Sequence, residues 1–401
     1  QCLEVEGFGI GVYTNLASNA SNVSLRESHL HHNGVIGFLG GTDNLLIERN
    51  RFDQNGYVNP SIYNHNIYLG STGIDMVVRK NWLSGSANDA NGQCQGASLI
   101  AHGEDSDNLL IEANLIEESN PTPGCWGLNV DGIGNGSTHT AAVIRNNVIR
   151  DVGNQSIGVS SCIDCVIENN VVVQTKVSGS VGIASPNRPT SSPDADVTGT
   201  IVRNNTVYFG PGISGQTYYV GERGSNYIVS NNIGYFASTQ AAGSACFNFD
   251  LPSSDYALVS NNLCYGANFD MGTVGMDGNA VSADPLFVNA PTDFSLQVDS
   301  VARDGGSRDS ASDYDIEGVS RYGTPDIGAY ESATTTILDS DGDSIFDAND
   351  SCANGESGWR SDSSTDIDGD GCQDATEESD DDNDGLVDGS DNCPRVVNAD
   401  Q

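Results

Sequence analysis

Lysine is almost missing from this chain. Only Lys80 and Lys176 occur, and with arginine there are 16 basic residues against 55 acidic ones, a formal net charge of −39. Such a chain repels nucleic acid and anionic membrane surfaces and attracts divalent cations. Mechanisms that need a cluster of basic side chains are short of material. Long apolar runs are missing too, so no segment reads as a membrane span, and no signal peptide is present. Gln1 therefore reads as the start of a mature or trimmed chain. Helix periodicity is absent, while 47 glycines and many β-branched residues point to short strands and turns. Against these absences stand ten cysteines and sequons at Asn19, Asn22, Asn135 and Asn204, which fit an oxidising, extracellular location.

A phrase of the form apolar-x-x-Asn-apolar recurs along the first two thirds of the chain. It reads IERNRF (47–52), VRKNWL (78–83), IEANLI (111–116), IRNNVI (144–149) and IENNVV (167–172). It continues as VRNNTV (202–207), VSNNIG (229–234) and VSNNLC (259–264), with a degenerate first copy, LRESHL (25–30). The key asparagines are 50, 81, 114, 147, 170, 205, 232 and 262, so the steps run from 23 to 35 residues, after a step of 22 from Ser28. Periods of this size mean stacked supersecondary units. Each phrase supplies a short strand, a turn at Asn and another short strand, which predicts an all-β, right-handed parallel β-helix of about nine coils over residues 1–282. The asparagine column predicts a ladder of side-chain amides along the axis. A propeller or sandwich is the competing architecture, but it calls for more two-residue hairpin turns than the sequence offers. The chain starts inside a coil, so upstream coils or a neighbour are expected to cover that edge.

The phrases DPLFVNAPTDFSLQVDSVARDGGS (284–307) and DIEGVSRYGTPDIGAYE (315–331) have another texture. Together they resemble the C-terminal end of surface β-helix proteins that carry a choice-of-anchor Q region. That resemblance implies a secreted or cell-surface protein in which residues 283–333 end the helix, without implying an activity.

Residues 334–401 hold a third pattern. Asp339, Asp341, Asp343, Asp347 and Asp350 occupy positions 1, 3, 5, 9 and 12 of a loop. Asp366, Asp368, Asp370, Asp374 and Glu377 repeat those offsets, and Asp380, Asp382, Asp384, Asp388 and Asp391 do so a third time. Calcium takes six to eight oxygens in a flexible shell, and this spacing wraps a chain around it. Position 7 offers the backbone carbonyls of Ile345, Cys372 and Leu386, and Gly371 and Gly385 stand at position 6, where loop one has Ser344. Loops two and three start 14 residues apart, which leaves no room for the flanking helices of an EF-hand. The segment instead resembles thrombospondin type 3 repeats. That resemblance implies about three or more bound calcium ions and a Cys352–Cys372 disulfide, with Cys393 paired beyond Gln401. Without the ion, mutual repulsion of these carboxylates should unfold the segment. Asp381 is the one aspartate of SDDDND (379–384) that the pattern leaves without a role.

On the coils, strand alternation turns Tyr68, His102, Glu104 and Asp131 outward as a low-contrast groove candidate, with Asn66, Asn129, Asn248 and Asp250 beside them and Trp126 or Tyr63 as a sugar-stacking platform. The Asp-Asp, Gly-His-Gly and Arg-x-Lys signatures of polygalacturonase-like enzymes do not occur on the coils. Cys94 and Cys125, 31 residues apart, and Cys246 and Cys264 suit bridges between coils. Cys162 and Cys165 suit a local disulfide or a metal half-site, and Cys2 is left over. Two functions follow. The first is an extracellular calcium-binding structural or adhesive protein, assembling end to end as a filament or layer. The second is a secreted polysaccharide lyase or carbohydrate-binding β-helix protein, with an extracellular polysaccharide as partner.

Overall fold

The computed structural model describes residues 3–14, 21–132, 134, 136–188, 194–238, 243–252, 255–270, 279–332, 340–345, 350–361 and 365–396. Two compact units emerge, 1–332 and 333–401.

The first unit is a parallel β-helix. Sheet 1 has ten strands, from Glu4–Val5 through His29–His31 and Arg51–Asp53 to Leu263–Tyr265. Sheet 2 has nine, from Ser24–Arg26 to Tyr256–Ser260, and sheet 3 has ten, from Ile10–Tyr13 to Asn268–Asp270. Within each sheet every strand pairs in parallel with the equivalent strand one coil away, as with Val77 beside Leu46 and Leu110. A short fourth sheet joins Gly73–Ile74, Ser106–Asp107, His139–Thr140 and Cys162–Ile163. Buried aliphatics such as Ile47, Val78, Ile111, Ile144, Ile167, Val202 and Val229 form one column of the core. Tyr218, Phe247 and Phe269 stack inside the later coils with centroids 4.6 and 5.2 Å apart.

The asparagine column is a ladder. The backbone N–H and the side-chain Nδ2 of Asn50 both donate to Oδ1 of Asn81, at 2.9 and 3.0 Å. Asn81 does the same to Asn114, Asn114 to Asn147, and so on through Asn170, Asn205 and Asn232 to Asn262. Each amide also donates to a carbonyl of the preceding coil, so its polar atoms are satisfied in the interior. The residue before each ladder position is left-handed: Glu27, Arg49, Lys80, Ala113, Asn146, Asn169, Asn204, Asn231 and Asn261 have φ between 50° and 56°. Asparagine adopts that region more readily than other side chains, which accounts for the Asn-Asn pairs of the later coils.

Those left-handed asparagines have a second use. Residues 279–332 run along the outer face of sheet 1, where Phe287, Phe294, Leu296 and Ile327 pack on Val171, Val173, Tyr208 and Ile233. Asn169, Asn231 and Asn261 donate to the carbonyls of Tyr314, Ser307 and Gly305, and Asn204 accepts from the N–H of Ser312. Arg321, fully buried, is ion-paired to Glu331 at 2.7 Å and donates to the carbonyl of Gly328. The PDIGAYE phrase thus encircles one buried guanidinium.

Four disulfides join Cys94–Cys125, Cys162–Cys165, Cys246–Cys264 and Cys352–Cys372, the pairs expected from spacing and resemblance. The second is a local disulfide, which removes the half-site alternative. Cys393 is a free, exposed thiol, and Cys2 lies outside the described residues. Among the described residues no helix is long and apolar enough to cross a membrane.

Candidate functional site

Sheet 3 carries the outward strip. Its strands His65–Leu69, Ala97–His102 and Trp126–Asp131 align Tyr68 with Ile100 and Asn129, and His102 with Asp131. Ile67, Leu69, Leu99, Ala101, Leu128 and Val130 point into the core, so alternation turns Tyr68, His102, Asn129 and Asp131 to the other face. Nδ1 of His102 contacts Oδ1 of Asp131 in a short hydrogen bond, and the Tyr68 and His102 rings lie 6.2 Å apart. Asp131 is only 1% exposed.

Two residues that sequence alternation could not point to complete this cluster. Arg188 donates from Nη2 to Oδ2 of Asp131 at 2.9 Å and from Nη1 to the carbonyl of Gly132 at 3.2 Å, and its Nη1 pairs with the buried Asp194 at 3.3 Å. Asn187 donates to Asp131 at 3.0 Å and to Asn129 at 3.3 Å. Both lie on the segment after the strand Ser180–Ser185, two coils beyond Asp131, where no phrase repeats. Beneath them His139, buried, faces the Asp131 carbonyl at 3.1 Å and the Ser106 hydroxyl at 2.7 Å, and burial holds its pKa down. Burial pushes the Tyr68 phenol up, helped by Asp131 and Glu104.

The arrangement is an aspartate-oriented imidazole next to a guanidinium whose charge is already divided between Asp131 and Asp194. Counting Glu104 as well, the cluster has more negative than positive charge. It can hold a proton at His102 or hydrogen-bond a sugar hydroxyl, but it is poorly suited to neutralising an anionic sugar. Other expected members fall away. Asn66 is buried in a second, shorter amide ladder with Asn55, and it donates to the Ser84 carbonyl. Asn248 lies four strands beyond Asn129, about 19 Å at one strand spacing per coil, and Tyr219 occupies Asp250 through a 3.2 Å hydrogen bond. Glu104, by contrast, stays at the exposed edge of the cluster, where it acts on the Tyr68 phenol; Trp126 is half-buried with the parity of Leu128, and Tyr63 is exposed on the preceding turn.

The second unit gathers the acidic loops. Asp339 and Asp347 lie outside the described residues, but the remaining expected ligands are placed. Side-chain oxygens of Asp341, Asp343 and Asp350 all fall within 4.8 Å of one another, as do those of Asp366, Asp368 and Asp370. Over positions 3 to 7, described in all three, the loops share one backbone pattern. Positions 4 and 6 are left-handed in each: Gly342 and Ser344, Gly369 and Gly371, Asn383 and Gly385. The N–H of position 5 donates to the carboxylate of position 3 in all three (Asp343 to Asp341, Asp370 to Asp368, Asp384 to Asp382). The N–H of position 7 donates to position 5 likewise, from Ile345, Cys372 and Leu386. In loops two and three position 6 donates to position 1, and position 2 to position 9.

Turned inward this way, the carboxylates are under electrostatic pressure. Oδ2 of Asp368, Oδ1 of Asp380 and Oδ2 of Asp382 are buried with no hydrogen-bond donor. Burial and the neighbouring Asp370 raise the pKa of Asp368, and Glu378 is pushed up to about 8 by burial and by Asp368, Asp370, Asp374 and Asp381. Asp381 has a role after all: with Asp374 it holds Arg395, at 3.3 and 2.9 Å. Glu377, at position 12 of loop two, instead accepts from the N–H groups of Gln373 and Glu356. Oδ1 of Asp391 accepts from the N–H of Cys393 and that of Asp388 from the N–H of Asp381. These orphaned, clustered oxygens are what a hard cation accepts as ligands.

The molecule is thus a parallel β-helix protein with an acidic second unit that carries its own internal disulfide. No protein-family model matches it, and no curated protein does. Among solved structures it is similar to a pectate lyase, at 16% identity over 82% of this chain and 70% of the lyase, TM-score 0.42. It is also similar to the tailspike protein of E. coli bacteriophage HK620, at 12% identity over 66% of this chain and 60% of the tailspike, TM-score 0.38. Likeness this distant has no bearing on activity.

Proposed function

We propose that this is an extracellular calcium-binding protein with a structural or adhesive role, in which the β-helix is the rod and the acidic unit is clamped by calcium. The observation that carries the reading is the backbone shared by the three loops, which aims clustered and partly orphaned carboxylate oxygens inward. Four disulfides fit the oxidising compartment. In its sharper form, calcium-ordered tails join copies end to end. Limited proteolysis of the full chain tests the core of the reading. Residues 340–396 should resist cleavage in millimolar calcium and be cut within minutes in excess chelator; equal resistance in both would refute it. The end-to-end form predicts that assemblies seen by electron microscopy dissolve in chelator.

A second reading is favoured by one observation, the His102–Asp131–Arg188 cluster with Asn187. A polysaccharide, neutral or calcium-bridged, would lie along sheet 3 against Tyr68 and His102. Glycan-array binding and ultraviolet detection of unsaturated sugar products test it, and His102→Gln should abolish any signal. Silence of the wild-type chain in both assays retires this reading.

A further inference from the structure

Three of the six histidines, His29, His31 and His32, meet on the outer face of the first two coils, far from either site above in sequence. Leu30 between them is fully buried, so alternation turns His29 and His31 outward together, with their rings stacked at 4.0 Å. His32 would ordinarily point away from its neighbour. Its φ of +49° swings the ring back, edge-on to His31, with the two Nδ1 atoms 2.8 Å apart. The same left-handed turn recurs after the equivalent strands at Gln54, Gly85 and Asp151, so the coil itself holds His32 in the conformation that brings its ring to His31.

The strand Glu4–Val5 lies alongside, pairing Glu4 with His29 and Val5 with Leu30. Oε2 of Glu6 is 3.5 Å from Nδ1 of His31, and the donor atoms of Glu6, His31 and His32 all fall within 4.8 Å of one another. Oε1 of Glu4 sits 3.2 Å from Nε2 of His31, and His29 is held in turn by Asp53. A metal with ligands at about 2.0–2.1 Å in tetrahedral array needs donors about 3.3 Å apart; the His31 Nδ1 atom stands 2.8 Å from that of His32 and 3.5 Å from Glu6, so a small adjustment of the three side chains would seat an ion.

We propose that His31 Nδ1, His32 Nδ1 and Glu6 bind one transition-metal ion such as Zn²⁺, Cu²⁺ or Ni²⁺, with a solvent-facing fourth position. Two imidazoles and one carboxylate suit these metals, whereas the all-oxygen loops of the second unit suit calcium. Glu4 is the positioning residue: by accepting a hydrogen bond from the Nε2–H of His31 it fixes the tautomer that leaves the Nδ1 lone pair for the metal. Glu6 comes from the first coil and the histidines from the second, so the ion also ties the outermost coil to its neighbour.

The test uses the full chain with the acidic loops kept saturated by millimolar calcium. Cobalt(II) is titrated in and followed by its visible ligand-field bands, and copper(II) by nitrogen splitting in electron paramagnetic resonance. The expected result is one equivalent bound through nitrogen. His32→Gln and His31→Gln should each weaken binding by about 100-fold or more, and Glu4→Gln by about 10-fold. Far-UV circular dichroism shows whether each variant keeps the β-helix, and His32, being exposed, is the cleaner substitution. No cobalt uptake by the wild-type chain, or wild-type affinity in His32→Gln, overturns the proposal.

Discussion

At position 113 an alanine sits with φ of +53°, where later coils place asparagine. The left-handed region costs an ordinary side chain roughly 1–2 kcal/mol that asparagine largely avoids. Ala113→Asn should therefore raise stability by about 1 kcal/mol in denaturant titrations, and Ser344→Gly should do the same for the first acidic loop, where Ser344 has φ of +85°. Glu118 makes a separate prediction. Its carboxylate accepts from the N–H groups of Gly85 and Ser86 and from the Ser98 hydroxyl, yet burial outweighs them and lifts its pKa from 4.5 to about 7. Between those pH values the folded chain holds a proton that the unfolded chain releases, so stability falls as pH rises through the window. The shift corresponds to ~3 kcal/mol. Glu118→Gln should lack that part of the decline, as thermal melts of the two proteins at pH 4.5 and pH 8 would reveal. Nothing in the sequence marks Glu118 as buried. It follows the strand Leu115–Glu117, and only the three donors around it distinguish it from the exposed acids.

The coil is the element at which the sequence speaks most plainly. A ladder needs the same residue at the same place in every coil, so the recurring Asn with its apolar neighbours announced both the register and the interior amides. Asn114→Ala would leave the N–H of Asn81 and its Nδ2 without their shared acceptor, and a buried unsatisfied donor costs about 1–3 kcal/mol. A loss of that size or more in chemical unfolding is expected, whereas no loss would mean the ladder follows from packing alone. The segment 279–332 was legible as a distinct texture but its placement was not. Its contacts are with the left-handed asparagines, whose side-chain direction depends on a φ sign that spacing does not encode. The same limit applies to the sheet 3 cluster. His102 and Asp131 could be reached by alternation, but Arg188 and Asn187 arrive from a non-repeating segment more than fifty residues later in sequence. Arg321→Ala should detach the segment, since it strands Glu331 in the interior; breaking one side of a buried pair costs about 3–5 kcal/mol.

For the whole molecule, an excess of acid is arranged in two ways. Along the coils, acidic side chains are paired across neighbouring strands with arginines, as Glu48 is with Arg79 and Arg26, Glu112 with Arg145, and Glu168 with Arg203. In the second unit basic partners are scarce: Arg395 serves Asp374 and Asp381, while the remaining carboxylates crowd one another. The offsets of those aspartates were visible in the sequence because a wrapped ion needs fixed spacing, and the common backbone of the three loops agrees with that spacing. The most direct measurement is calorimetric titration of calcium into the chelator-treated full chain. The account predicts about three or more sites, with Asp368→Asn and Asp382→Asn each weakening or removing one. A chain that gives no calcium-dependent heat, or variants that titrate like the wild type, would contradict it.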